Sequence, residues 1–281
     1  MKDNILNRFF TQSNIEELIR LHKNSIYEEI VGRYLDNDHN IQNKDVMKAV
    51  YKYMEKNYRN EYFFQNTIFN KILLGRHSLN TTTALTQIPI SKSRADVIMI
   101  NGKAVVYEIK TGLDNFDRLA GQINDYYKAF DNVCVVIEES SYERLDREII
   151  NENVGIIILT KKNTLRYQKK AKSNVSCLEP EEMFKILRKY EYENIIKNHY
   201  GELVKSSPVF YYKKSMEAFK KIEMGELYRS FLNELKKRNK VNKNNYQYVP
   251  YELKSLFYFL NASVDEYTML SEFLCAKYKE E

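Results

Sequence analysis

Continuous apolar runs and helical periodicity alternate along the middle of this chain. We predict strands at residues 84–90, 97–100, 104–109, 133–137, 154–159 and 164–168. The Asn101-Gly102 pair between the second and third runs is a strong signal for a β-hairpin. The runs at 133–137 and 154–159 are apolar at consecutive positions and lie on either side of a short helical segment, which is typical of buried parallel strands joined by a crossover.

Amphipathic spacing predicts helices around and between these strands. The clearest stripe recurs every three to four residues over 114–130 and consists of Phe116, Leu119, Ala120, Ile123, Tyr127 and Phe130. Further helices are predicted at 14–34, 43–54, 61–74 and 142–150, and helical spacing continues from 179 to 281 without a strand signal. The predicted fold class is therefore α/β, with a mixed central sheet flanked by helices and helical additions at both ends.

Composition along the chain suggests three regions. We predict a helical N-terminal extension over 1–60, an α/β core over 61–178 and a helical C-terminal region over 179–281, with a mobile segment near 236–248.

Three charged side chains interrupt the apolar hairpin. With a strict two-residue loop, Asp96 falls opposite Tyr107 and projects to the other face from Glu108. With a three-residue loop and a left-handed Gly102, Asp96, Glu108 and Lys110 share one face. A shared site therefore predicts an odd loop or a bulge here. The purely structural alternative is that Asp96 caps a strand and that Glu108 and Lys110 form an ordinary salt bridge, without catalysis.

The order of short sequences in this region resembles the PD-(D/E)XK nuclease superfamily, whose signature is an aspartate, a spacer and Glu-x-Lys on the next strand. The resemblance rests on S-R-A-D, N-G-K, Y-E-I-K and L-A-G-Q-I-N-D-Y, followed by V-C-V-V-I, and it runs over 91–172 and more weakly to 238. It implies a restriction-endonuclease-like fold and Mg²⁺-dependent or Mn²⁺-dependent hydrolysis of phosphodiester bonds in DNA, with RNA as a weaker possibility.

The resemblance assigns roles to individual residues. Asp96 and Glu108, with the Ile109 carbonyl and waters, would bind the cation through oxygen. Lys110 would position the nucleophilic water or neutralise the transition state. Gln122 and Tyr126 resemble the Gln-x-x-x-Tyr pattern of RecB-type nucleases, in which they orient the lysine or contact phosphate. The purely structural alternative is that Gln122 lies on a solvated face of the helix and that Tyr126 is a core residue.

Basic residues supply a candidate nucleic-acid surface. Residues 161–172 contain six basic residues and no acid, directly after the last predicted parallel strand. The candidates to contact phosphate are Arg94, Arg118, Lys161, Lys162, Arg166, Lys169 and Lys170. The alternative is an edge strand that is kept basic to discourage aggregation.

The expected metal site has one possible shortage. Many superfamily members carry a further acid before or on the first strand, but residues 66–87 contain none, and Thr86 and Gln87 stand where the resembling group would carry an acidic pair. Asp45, Glu55 and Glu61 lie further upstream. A catalytically inactive module that binds nucleic acid or a protein partner therefore remains an alternative to the nuclease.

Composition narrows the remaining classes. The net charge of +6 and pI near 8.9 favour an acidic partner. Cys134, Cys177 and Cys275 are too few for a four-thiolate iron-sulfur cluster and fit a reducing cytoplasm. The sequence has no signal peptide, no membrane-spanning window, no phosphate-cradling glycine loop and no G-x-S-x-G, so we expect a cytoplasmic protein that is neither a motor nor a serine hydrolase.

Overall fold

The computed structural model describes residues 4–35, 41–148 and 151–278. Its strands are β1 Thr83–Ile90, β2 Ser93–Asn101, β3 Lys103–Lys110, β4 Val133–Glu138, β5 Gly155–Leu159 and β6 Leu165–Lys169. Its α-helices are α1 Asn4–Phe9, α2 Gln12–Leu21, α3 Ser25–Tyr34, α4 Asn43–Asn57, α5 Glu61–Ile68, α6 Leu119–Tyr127, α7 Tyr142–Glu148, α8 Pro180–Ile186, α9 Lys189–Tyr200, α10 Pro208–Phe219, α11 Met224–Lys236, α12 Lys243–Tyr246, α13 Lys254–Leu260 and α14 Val264–Cys275.

The strands of the described residues form one mixed sheet in the order β1-β2-β3-β4-β5-β6. β1, β2 and β3 are antiparallel, β3, β4 and β5 are parallel, and β6 returns antiparallel to β5 as an edge strand. The parallel strands are buried along most of their length, as their apolar runs predict. The predicted α/β fold, a mixed sheet flanked by helices with helical regions at both ends of the chain, is confirmed.

The turn between β2 and β3 has the odd length that a shared site requires. Ile100 pairs with Ala104 and Asn101 with Lys103, so Gly102 alone lies between the paired residues, and it adopts a left-handed φ of 70°. The three-residue loop considered from the sequence is not formed, but a one-residue connection places the same side chains on one face, because both lengths are odd. A left-handed conformation is accessible to glycine without steric cost, which explains why glycine stands at this turn. The register of this hairpin brings residues 96 and 108 opposite each other.

One face of the sheet packs against helices of the same compact unit. Ala104, Val106 and Ile137 belong to a core cluster that also includes Ile123 and Tyr127 of α6. Side chains of α8, α9 and α11 complete this cluster. The predicted helix over 114–130 is shorter at both ends in the structure, because residues 114–116 are irregular, 117–118 form a turn, and α6 runs only from Leu119 to Tyr127.

Helices α1 to α5 and α12 to α14 form a second compact unit. The helix predicted over 14–34 is divided here, since His22 ends α2 in a left-handed conformation. Asn24 then caps α3 by accepting a hydrogen bond from the Tyr27 N–H at 2.9 Å. The helix predicted over 61–74 is α5 followed by a π-helical turn, Phe69–Leu74.

The two compact units divide the chain at other points than the predicted regions. The helical unit comprises residues 1–79, 111–113 and 240–281, and the sheet unit comprises 80–110 and 114–239. The predicted boundary at 178 falls inside the sheet unit, because α8 to α11 pack with the sheet. The boundary at 239 falls within the segment 236–248, and α12 occupies part of that segment. Residues 149–150 of the predicted helix 142–150 lie outside the described residues.

No helix in the described ranges has both the length and the apolar character needed to cross a membrane.

Candidate active site

The candidate site lies where β2 and β3 diverge. Their ladder ends at the pair Val97 and Tyr107. Two residues further along β3, the Ile109 N–H donates to a side chain: it binds the Asp96 Oδ2 at 2.8 Å. The Asp96 carboxylate is therefore held at the fork between the two strands, and its side chain is only partly buried. Thr86 supports the same residue from β1, since its hydroxyl donates to the Asp96 carbonyl at 2.7 Å.

Glu108 is the buried centre of the site. The residue is 1% exposed, which is costly for a carboxylate unless its oxygens have partners. Lys110 Nζ lies 2.9 Å from Oε1, and the Tyr126 hydroxyl donates to Oε2 at 2.6 Å. A carboxylate oxygen has two lone pairs, so each oxygen can still accept one more ligand.

Gln122 joins Lys110 to α6. Its side-chain Oε1 accepts a hydrogen bond from Lys110 Nζ at 3.0 Å, and its Nε2 lies 3.5 Å from the Tyr126 hydroxyl. Gln122 and Tyr126 are four residues apart and therefore lie along one line of the helix. The buried Leu119 and Ile123 of α6 hold that line against the sheet. The Gln122 amide is therefore partly buried and bound to Lys110, which is the contact that orienting the lysine would require.

Tyr126 acts from a fully buried position. Its exposure is 0%, and its hydroxyl oxygen also lies 2.9 Å from the Arg94 carbonyl, so its single proton is shared between that carbonyl and the nearer Glu108 Oε2. Burial, and then the nearby charge of Glu108, raise the pKa of Tyr126 well above its usual value, so the hydroxyl remains a hydrogen-bond donor. The resemblance allowed this residue to orient the lysine or to contact phosphate. The structure instead places its hydroxyl on Glu108, in a buried position without access to phosphate.

A further carboxylate that the sequence did not single out anchors α6 to the turn between β1 and β2. Asp125 Oδ2 accepts from the Ser93 hydroxyl at 2.8 Å, and Oδ1 lies 2.9 Å from Lys128 Nζ. Burial opposes ionisation of this carboxyl, but the hydrogen bonds from Lys128 and Ser93 lower its pKa below the usual value. The Ser91-Lys92-Ser93 turn was the available signal, but nothing in the sequence linked it to Asp125.

The oxygens that could hold a divalent cation come from Asp96, Glu108 and the Ile109 carbonyl. Within the described ranges, no three or more His, Cys, Asp or Glu side chains are grouped so that they could bind a metal. Asp45, Glu55 and Glu61 belong to the helical unit.

The first strand carries no acid that would complete this ligand set. Gln87 is exposed and has a φ of 54°, which is unusual for a residue other than glycine inside a strand. By the register of β1 with β2 it falls opposite Asp96. Among the described residues of β1 and β2, Asp96 is therefore the acid nearest to Glu108 in strand register.

The candidate phosphate-binding residues fall into two groups. Strand pairing connects Lys110 to Ile137, Ile137 to Ile158 and Ile158 to Arg166, so Arg166 shares a row with Lys110 three strands away, about 14 Å. Lys161 and Lys162 lie in the turn that follows β5, at the same end of the parallel strands as Lys110. Arg166 is half-exposed and already pairs with Glu139 at 3.0 Å.

The remaining basic candidates have different surroundings. Lys169 pairs with Ile156 near the amino end of β5. Lys169 and Lys170 therefore lie towards the opposite end of the parallel strands from Lys110. This position on an exposed edge strand agrees with the protective alternative for these two lysines. Arg94 and Arg118 are exposed, and both residues adjoin the network through their backbones, since Arg94 accepts from Tyr126 and Arg118 precedes α6.

The fold and the site together define an α/β protein with a mixed six-stranded sheet and a buried carboxylate, lysine, glutamine and tyrosine network at its central hairpin. A model of the family described as bacteriophage P4 protein cII matches residues 54–255, and the chain belongs to that family. No curated protein matches the chain.

One solved structure with some likeness is the SPO1766 protein of unknown function from Silicibacter pomeroyi. The identity is 14% and the TM-score 0.27, over 34% of this chain and 63% of that protein. This chain thus covers less than two thirds of the length of the SPO1766 protein. A likeness at this level defines neither fold nor function.

Proposed function

We propose that this protein is a metal-dependent nuclease that hydrolyses phosphodiester bonds in DNA, with its active site at the fork of β2 and β3. The observation that carries the proposal is a single connected network: Tyr126 and Lys110 each hold one oxygen of Glu108, and Gln122 holds Lys110. Side chains from β3 and from the following helix α6 meet here, which is the arrangement that the superfamily resemblance implies.

The residues divide the work as follows. Asp96 and Glu108, with the Ile109 carbonyl, supply hard oxygen ligands of the kind that Mg²⁺ and Mn²⁺ prefer. A bound cation would lower the pKa of a coordinated water and offset the charge that develops on phosphate. Lys110, fixed by Gln122, places an ammonium beside the reacting phosphate. Tyr126 keeps the Glu108 carboxylate in one orientation.

The alternative function is a nuclease-like module that binds nucleic acid or a protein partner without cutting it. Two observations favour it: the described residues provide two grouped carboxylates and no third acid, and both oxygens of Glu108 are engaged within the protein. The family is named for a phage protein, which favours a phage-related setting for either function over repair or defence.

A cleavage assay separates the two functions. The substrates are supercoiled plasmid, linear duplex, single-stranded DNA and RNA, each with Mg²⁺, with Mn²⁺ and with chelator. We expect cleavage that requires metal, and a loss of about 100-fold or more in Asp96→Asn and Lys110→Met. Asp96→Asn retains an oxygen for the Ile109 N–H, so its fold should survive.

The matched control is Asp265→Asn, the same chemical change at an exposed acid of α14, and it should cut like the wild type. Binding of DNA without cleavage under any metal condition would establish the alternative module. Equal cleavage by wild type and Lys110→Met would show that the activity does not come from this site.

A further inference from the structure

A groove that the proposed active site does not use lies between α9 and α10. The segment 201–207 connects these helices and closes one side of a cavity of about 390 Å³. Ile196, Leu203 and Val204 form its apolar floor, while Lys205, Lys214 and Lys221 stand around it. All of these residues belong to the sheet unit. The apolar floor with a basic rim indicates a ligand that combines a flat or apolar group with negative charge.

An exposed aromatic residue extends the groove along α10. The helix buries Ser215 and Phe219, whereas Phe210 on another face is 58% exposed. Phe210 and Lys214 are four residues apart in α10, so the ring lies one turn before a lysine that lines the cavity. A phenylalanine exposed to this extent offers a surface for stacking that the fold itself does not use.

A second aromatic ring borders the cavity from α9. Tyr200 is 45% exposed, and its hydroxyl donates to the Ala218 carbonyl at 3.0 Å. The hydrogen bond restrains the ring beside the groove. A restrained aromatic ring loses little conformational freedom when a ligand stacks on it.

The charge of the groove is positive but not uniform. Glu202 and Glu217 also line it, and Glu202 pairs with Lys205 at 2.7 Å on the exposed rim. Lys214 and Lys221 have no ion-pair partner among the residues that the structure describes. Lys214 lies within α10, and Lys221 lies two residues after the helix ends at Phe219. Both line the cavity, so two unpaired lysines at different points of the groove attract an extended anionic chain.

We propose that this groove binds single-stranded nucleic acid, with an unpaired base in the cavity or stacked on Phe210 and the phosphate backbone along Lys214 and Lys221. Aromatic platforms interleaved with cations are what sequence-independent binding of single strands requires. A strand offers a π-face and a phosphate at every step, and an acidic peptide brings no regular series of rings to match Phe210 and Tyr200. A base held within a duplex cannot enter the cavity.

The test measures binding rather than cleavage, so that it does not depend on the proposed nuclease. Full-length protein is titrated, with chelator present, into a labelled single-stranded oligonucleotide, its duplex form and a labelled poly-glutamate peptide. We expect preference for the single strand. Phe210→Ala should weaken its binding about 5- to 100-fold, because stacking supplies that much per base.

Charge variants test the path of the backbone. Lys214→Gln/Lys221→Gln should weaken binding and reduce the slope of log affinity against log salt by about 1.4. The control, Lys48→Gln/Lys52→Gln, removes the same charge from two exposed positions of α4 and should leave the slope unchanged. Since Phe210 is largely exposed, thermal melting of Phe210→Ala should match the wild type.

The outcomes are distinguishable from those of the cleavage assay. Binding of the single strand that depends on Phe210 supports the groove even if no DNA is ever cut. Affinity unchanged in Phe210→Ala, or an equal loss in the α4 control, overturns the proposal and leaves cleavage at Asp96 and Glu108 unaffected. Binding of poly-glutamate in place of the oligonucleotide, lost in the Lys214/Lys221 variant, overturns it as well and assigns the groove to an acidic protein segment.

Discussion

Tyr126 shows how one buried hydroxyl can organise a site. Tyr126→Phe removes the donor to Glu108 Oε2 and leaves that buried oxygen without its partner. We expect the free energy of unfolding to fall by about 1–3 kcal/mol, as measured by urea denaturation. Tyr248→Phe is the control, because Tyr248 is 80% exposed, and it should change little. Equal stability of both variants would contradict the role assigned to Tyr126.

The buried ion pair of Glu108 and Lys110 should make the folded protein no more stable than a pair of apolar residues of similar size would. Glu108→Ala leaves the mostly buried Lys110 without its carboxylate, and we expect a loss of about 3–5 kcal/mol. Glu108→Met/Lys110→Met removes both charges and should recover most of that loss while abolishing any cleavage. Denaturation midpoints of the three proteins test this. A double variant as unstable as Glu108→Ala would indicate that the pair itself stabilises the fold.

Sequence patterns carried the argument far at the residue scale. The triplet Asp96, Glu108 and Lys110 and the helix pair Gln122 and Tyr126 were all found from spacing and resemblance. The structure joins the last four side chains in one network, and Asp96 lies beside it on the Ile109 N–H. Asp125 was missed, because its partner Ser93 is 32 residues away and no local pattern links them.

At the scale of elements, two glycines should respond in opposite ways to the same substitution. Gly102 turns the hairpin with φ at 70°, and Gly121 lies within α6; an added Cβ would meet no atom within 4 Å at either site. Gly102→Ala should destabilise by about 1 kcal/mol through backbone strain alone. Gly121→Ala should stabilise by about 0.5–1 kcal/mol, because alanine is the better helix former. Thermal melting of both variants tests the turn.

The outcome that would contradict this account is a neutral Gly102→Ala. It would mean that the turn can adopt another conformation, and the odd register that places residues 96 and 108 opposite each other would then lose its support. The sequence left this register open between a two-residue and a three-residue loop, and the structure has a one-residue connection at Gly102. That connection has the odd length of the three-residue loop, so residues 96 and 108 still share one face.

At the scale of the whole molecule, buried tyrosines should make stability sensitive to high pH. The sequence contains 23 tyrosines, and burial raises the pKa of several, including Tyr211 and Tyr267, each to about 12 from the usual 10.0. Burial also raises the pKa of Tyr126, Tyr228 and Tyr246 well above that value. Above the ordinary pKa of tyrosine, the unfolded chain releases protons that the folded chain retains.

The sign of the dependence follows from that difference in bound protons. Stability is fully present below about pH 10 and falls as pH rises, by about 1.4 kcal/mol per pH unit for each such tyrosine. Urea denaturation at increasing pH should show a falling midpoint, and tyrosinate absorbance should rise together with unfolding. Tyrosinate absorbance that develops fully before unfolding begins would show that these hydroxyls are accessible in the folded protein.

The sequence by itself determined the strands, most helices and which polar residue types stand at the hairpin, because periodicity, turn residues and residue type are local properties of the chain. Only the tertiary structure decided which side of the sheet Asp96 takes, where Lys169 and Lys170 lie relative to Lys110, and that α8 to α11 pack with the sheet. These depend on strand register and on contacts between distant segments. The groove beside Phe210 likewise exists only once α9 and α10 are packed together.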